Sequence, residues 1–232
     1  MASSANPSFG TVHWPTFKRW FAMDPADDLP VWMVNLMRYK EVASYDDGRP
    51  ARSGMEADDE YAPVEVLHDL GAHISYHGVV TTQIAGDPAW HRVAVVRYPS
   101  RAAFVAMQER PDFKDKYVHK EAGMDFTIIV ASLPVSHGTD AAPSDHSLVL
   151  RVRPVGAPTF VDEHATVMAH FAADGLVIGD EREFDEVTFD WVPNDALASL
   201  TPSVDGEQVL VLRSQIRQLA ESVTSSPPWS NQ

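Results

Sequence analysis

Three polar residues sit inside otherwise apolar stretches: Asn35 in PVWMVNLMRY, His77 in HISYHGVV and Arg97 in HRVAVVRY. Tyr61 lies in a helical stretch between the first two. An imidazole takes or gives a proton near neutrality. A guanidinium or a carboxamide holds the oxygen of an enolate or carboxylate. The combination suits proton abstraction beside a carbonyl, or oxygen activation on an electron-rich substrate. His77 is the expected proton-transfer group, Asn35 and Arg97 are the expected oxyanion donors, and the Tyr61 hydroxyl assists. The plainer alternative is that Asn35 serves a buried backbone group, Arg97 is solvated at a strand end and Tyr61 packs in the core.

Other candidates are weaker. His73 and His77 are four residues apart on a strand, roughly 13 Å, too far to share a metal ion. His119 lies late in a helix within the charged run Tyr117-Val-His119-Lys-Glu. A solvent face is the plainer reading of that run, with haem ligation as the alternative. His164 and His170 are six apart, which is not a same-face helical spacing. The acidic run Asp180–Glu186 lacks the glycine and paired aspartates of a calcium loop. No GxGxxG, GxxxxGK[ST], GxSxG or HExxH pattern occurs.

The elements that must position these groups follow from apolar periodicity and turn chemistry. A lead-in over 1–29 carries a short helix at Thr16–Met23, after Pro15. A strand at Pro30–Tyr39, a helix near Glu56–Leu70, a hairpin of His73–Ile84 with Trp90–Tyr98, a helix from Arg101 towards Gly123 broken at Pro111, and a strand at Phe126–Leu133 follow. This is the β-α-β-β-α-β order of a ferredoxin-like unit spanning 30–135. A polar linker (136–146) precedes a looser repeat over 147–223, with strands at Leu148–Val152, Leu176–Ile178, Val187–Val192 and Gln208–Ile216. Helices are expected at Pro158–Ala173 and Asn194–Leu200, and a loose tail at 224–232. Strand alternation groups Met33, Asn35, Met37 and Tyr39, then His73, Ser75 and His77, then His91, Val93, Val95 and Arg97.

The chain of 232 residues has 18 Lys+Arg against 33 Asp+Glu, a net charge of −15, which makes nucleic acid and anionic membranes poor partners. Cysteine is absent, so disulfides, thiolate nucleophiles and cysteine-ligated metals are excluded. The N-terminal residues lack the basic start and apolar core of a secretory signal, and the expected location is cytoplasmic.

Several groups of residues resemble one family: Asn35-Leu-Met-Arg-Tyr, the Tyr45…Asp47-Gly48 turn, Ser53-Gly54-Met-Glu56-Ala57, Leu70-Gly71 leading to His77-Gly78, and Arg97-Tyr98-Pro99-Ser100-Arg101-Ala-Ala-Phe104. Over about Asp28–Pro134 the chain resembles an uncharacterised branch of the dimeric α+β-barrel superfamily, close to the domain-of-unknown-function family thirteen-thirty. That superfamily includes cofactor-free monooxygenases, muconolactone-type isomerases, polyketide cyclases, aldoxime dehydratases and haem-binding chlorite-dismutase-like proteins. The resemblance implies an α+β fold in which two tandem ferredoxin-like halves, the second degenerate, pack sheet to sheet as a barrel. The ligand would occupy the gap between the sheets. The expected protein is a homodimeric small-molecule enzyme without a tightly bound organic cofactor or metal. It would act by acid–base chemistry on an aromatic or polyketide-like carbonyl compound. The alternatives are a haem-binding barrel and a non-catalytic ligand-binding module.

Overall fold

Nine runs of alternating or continuous apolar residues pair into a single antiparallel sheet. In the computed structural model, which describes residues 6–158, 160 and 162–224, these are β1 (Thr11–Val12), β2 (Val31–Tyr39), β3 (His73–Ala85), β4 (Arg92–Tyr98), β5 (Met124–His137), β6 (His146–Pro154), β7 (Thr166–Gly179), β8 (Phe184–Pro193) and β9 (Gln208–Arg217). The order β7-β5-β2-β4-β3-β9-β6-β8 returns from β8 to β7, so eight strands close a barrel, and β1 adds to β7 from outside. Closure leaves these strands no long open edge.

Within the barrel, β2–β5 lie in the order β5-β2-β4-β3, with helices in both crossovers. The first crossover holds α2 (Gly54–Tyr61) and α3 (Val64–Asp69); the second holds α4 (Arg101–Met107) and α5 (Pro111–Gly123). Pro63 splits what the periodicity presents as one helix near Glu56–Leu70, because a proline ring obstructs the preceding turn. The same effect separates α4 from α5 at Pro111, as expected. Strands β6–β9 repeat the order, as β9-β6-β8-β7, but among the described residues carry no helix of comparable length. The expected helix at Pro158–Ala173 is corrected: from Thr166 this stretch is β7, bonded to β5 on one side and β8 on the other. Val167 and Phe171 do not share a face in the strand, because a bulge between Val167 and Ala169 leaves Val167 exposed while Phe171 is buried. Two partner strands then outweigh the weak local preference. The expected helix at Asn194–Leu200 shrinks to a single 3₁₀ turn, Leu197–Ser199. Two helices outside the barrel complete the fold: α1 (Trp14–Phe21) and α6 (Leu219–Thr224), the latter following β9 directly. The expected tail beyond Thr224 lies outside the described residues. No helix of the described residues is long and apolar enough to cross a membrane.

The core has two layers. Inward-facing residues of all eight strands, among them Trp32, Leu36, Tyr76, Val93, Leu150, Phe171 and Phe189, fill the barrel interior. Outward-facing residues of β2–β5 form a second layer with Leu67, Phe104, Met107 and Phe113 of the helices. Tryptophan closes both ends: Trp32 Nε1 donates to Ser222 Oγ of α6 at 2.9 Å, and Trp90 Nε1 donates to Gln208 Oε1 at 2.9 Å. The interior is therefore packed with side chains, as in small barrels generally.

Backbone contact sets how closely α2 approaches α5. A Cβ on Gly54 would lie 2.2 Å from Gly123 O and 2.6 Å from Lys40 O. Gly54→Ala must push α2 off α5, and we expect a loss of about 1–3 kcal/mol, read as a lower denaturant midpoint at unchanged slope. An unchanged midpoint would show that the approach is not tight.

The helix-free face of β6 and β8 carries charge instead. Glu207 is buried and accepts from Arg151 Nη1 at 3.1 Å, while Arg153 Nη1 bonds Glu186 Oε2 at 2.5 Å and His170 Nε2 meets Glu186 Oε1 at 2.8 Å. Burial lifts the Asp190 carboxyl beside them from 3.8 to about 6, against the opposing pulls of Thr188, Arg151 and His170. A raised carboxyl value means that the folded chain keeps a proton that the unfolded chain releases. Stability therefore falls as pH rises across roughly 4 to 6, by up to about 3 kcal/mol for a shift of this size. Asp190→Asn should flatten that part of the stability–pH curve and gain stability at pH 7.5 but not at pH 4. An unaltered curve would contradict the assignment.

Candidate functional site

Because the barrel interior is full, open space exists elsewhere. A cavity of about 310 Å³ lies between the outer face of the sheet and helices α2–α5. Its floor is Met33, Asn35 and Met37 of β2, Ala94 and Val96 of β4, and Ile74 and His77 of β3; its roof is Tyr61, Leu67, Phe104, Met107, Phe113, Tyr117 and Lys120. Val64, Leu67, Ile74 and Ile216 also border a neighbouring groove, so the two spaces meet beside α3. The expected location between two sheets is thus corrected. Alternation puts the large apolar residues of β2, namely Trp32, Val34 and Leu36, inside the barrel and turns Asn35 towards the helices.

The expected trio divides. Asn35 and His77 both line the cavity, opposite the same β4 residue, Ala94. Arg97 lies on the other face of β4, next to Val95 in the register and with its guanidinium 5.3 Å from the Trp32 ring centre. It cannot share a ligand with His77 in this cavity. His73 parts from His77 too, because the pairing of β3 with β4 slips at Ser75: Ile74 stays opposite Val96, but Tyr76 rather than Ser75 meets Val95. The slip, a β-bulge, moves Ile74 and His77 to one face. Asn35 donates Nδ2 to Met33 O at 2.8 Å and to Ala94 O at 3.4 Å, so its N–H groups are engaged by backbone. Tyr61 lines the cavity, packed edge-on against Phe113.

Charged residues that the sequence reading passed over complete the site. α2 brings Asp58 and Asp59; α5 brings Lys120; β4 brings Arg92. The Tyr39 hydroxyl donates to Asp58 Oδ2 at 2.6 Å. Arg92 Nη1 lies 2.6 Å from Asp59 Oδ1 and 3.7 Å from Asp58 Oδ2, while its buried Nε has no hydrogen-bond partner among the described residues. Burial raises the Asp58 carboxyl above its ordinary value, with Tyr39, Lys120 and Arg92 pulling it back. The Tyr39 phenol is pushed up, first by burial and then by the Asp58 charge, and stays protonated. Burial lowers the His77 imidazole below 6.5, aided by Arg92 and opposed by Asp58 and Gln215. At neutral pH His77 is therefore an unprotonated base beside a network that can take up or return a proton. One signal for Asp58 was available: Ser53 and Glu56 form a capping box that starts α2 at Gly54 and fixes which residues of the helix face inward. Lys120 gave no such signal, since its neighbours are polar.

His119 lies outside the cavity lining, with Nδ1 2.8 Å from the Tyr45 hydroxyl and 3.3 Å from Glu60. His170 meets Glu186 on the helix-free face instead. Trp20, Trp32 and Trp90 are core residues and Trp14 is half exposed; none lines the cavity.

No protein-family model matches this chain, and no curated protein matches it. Among solved structures, it is similar to a protein of unknown function from Rhodopseudomonas palustris, RPA0582, at 27% identity over 53% of this chain and 95% of the other, with a TM-score of 0.47. A methylated form of RPA0582 aligns at 28% identity, 55% and 95% coverage and a TM-score of 0.48. A mutant chlorite dismutase in complex with cyanide, from Candidatus Nitrospira defluvii, aligns at 7% identity over 79% of this chain and 90% of the other, with a TM-score of 0.41.

Proposed function

We propose that the chain is a small-molecule enzyme performing acid–base chemistry on a mainly apolar carbonyl compound, aromatic or polyketide-like, bound between the sheet and α2–α5. The observation that carries this reading is the position of an imidazole, His77, on the wall of a largely apolar cavity, with Asp58, Tyr39 and Arg92 at hand and burial favouring its neutral form. Apolar pockets with a few convergent polar groups are the usual form of small-ligand sites.

His77 takes the proton α to the carbonyl. Arg92 replaces Arg97 as the cation on that face of the sheet. The reading also takes β2–β5 and β6–β9 as tandem ferredoxin-like halves, the second stripped of its helices; the repeated strand order supports it. One half then supplies the cavity and the other closes the barrel behind it.

The test uses 2-tetralone in D₂O, whose α-protons exchange visibly by proton NMR. The protein should accelerate exchange, and His77→Ala should reduce the enzymatic rate by about 10²–10⁴-fold. Because burial lowers the imidazole's value, the base form persists into mild acid and the rate should reach half its maximum below pH 6.5. Exchange at the parental rate in His77→Ala would remove His77 from the mechanism.

A further inference from the structure

Lys120 is the unexplained group in this site. It is 8% exposed, on the inner face of α5, and lines the cavity. Among the described residues no hydrogen bond or ion pair reaches its Nζ. Its close neighbours are two aromatic rings, with Nζ 5.3 Å from the Phe9 ring centre and 5.1 Å from that of Tyr61. Rings in that position favour the charged form of the amine. Burial pulls the amine below its ordinary value, and the charges of Asp58 and Glu121 oppose that pull. Both carboxylates are occupied: Asp58 by Tyr39 and Arg92, Glu121 by the Ser8 N–H and hydroxyl. Tyr61 beside it has a hydroxyl that burial keeps protonated and that has no hydrogen-bond partner among the described residues.

A buried ammonium that lacks an oxygen partner is costly unless something supplies one. We propose that Lys120, with the Tyr61 hydroxyl as a second donor, receives the carboxylate of the ligand, so that the natural substrate is an organic acid with an apolar body. The inference rests on the cavity reading given above and narrows its substrate class. The geometry orients the ligand: its acid group meets α5, and its apolar body lies along Met33, Leu67, Ile74 and Met107. Arg92 and the neutral Tyr39 hydroxyl engage the Asp58 and Asp59 oxygens, so of the two cations that face these two carboxylates Lys120 is the one left to meet a ligand carboxylate.

The test compares 2-naphthoate with its uncharged analogue 2-naphthamide, titrated by calorimetry into the wild-type protein, Lys120→Met and Lys120→Arg. The wild type should prefer the acid by about ten-fold or more, as a charge-assisted pair predicts. Lys120→Met should bind both compounds alike, and its retained binding of 2-naphthamide shows that it is folded. Lys120→Arg should keep a preference for the acid. Equal binding of both compounds by the wild type, or an undiminished preference in Lys120→Met, would overturn the carboxylate role while leaving the cavity reading intact. Failure of both compounds to bind the wild type would overturn the two together.

Discussion

The structure depends on one constraint, the alternation of side chains across a closed sheet, broken at bulges such as that at Ser75. On β2 the odd-numbered residues Met33, Asn35 and Met37 face away from the even-numbered Trp32, Val34 and Leu36. Once the large even-numbered side chains fill the barrel, the polar residue at position 35 must lie outside, in the layer between sheet and helices. The same parity on β4 sends Ala94, Val96 and Arg92 to that layer and Arg97 to the opposite face. The apolar cavity lies where helices cover the outer face, over β2–β5. Over β6 and β8 the corresponding face carries the Arg151–Glu207 and Arg153–Glu186–His170 contacts instead, around a smaller and more polar pocket.

The cavity's polar end is held by interactions that sequence proximity does not show. Tyr39 of β2, Asp58 and Asp59 of α2, Arg92 of β4 and Lys120 of α5 come from four separate elements. They converge because α2 and α5 touch through glycine: Gly54 N donates to Lys40 O at 3.1 Å, and Lys40 N donates to Gly123 O at 2.9 Å. Side chains larger than hydrogen at Gly54 or Gly123 would hold the helices apart. Two cations then face two carboxylates in a mostly apolar setting, where each unpaired charge is expensive. Arg92 is matched by Asp59 and Asp58, whereas Lys120 is left to the two rings.

Much of the first half was legible in the sequence, because punctuation there is strong. Pro111, Gly71 and the Ala85–Ala89 turn mark boundaries that tertiary packing does not override. The second half was less legible. β7 runs for 14 residues between β8, which follows it directly, and β5, which belongs to the first half of the chain, so part of its specification is not local. The site was half legible. Parity correctly grouped Met33, Asn35, Met37 and Tyr39, but which face points inward is decided by the closure of the barrel. The bulge at Ser75 is invisible in HISYHGVV, and it separates His73 from His77. Lys120 was hidden for another reason: a lysine among Tyr117, His119 and Glu121 looks solvated. Only the packing of Phe9, contributed by a segment over a hundred residues away, shows that it is buried.

The claim that the barrel is filled and that the ligand space lies under the helices can be tested directly by xenon. Apolar cavities of this size take up xenon under pressure. Anomalous diffraction from a pressurised crystal should place xenon among Met33, Leu67, Met107 and Ile129, with none among Trp32, Leu150 and Phe189. Xenon inside the barrel, with none between the sheet and α2–α5, would contradict the account.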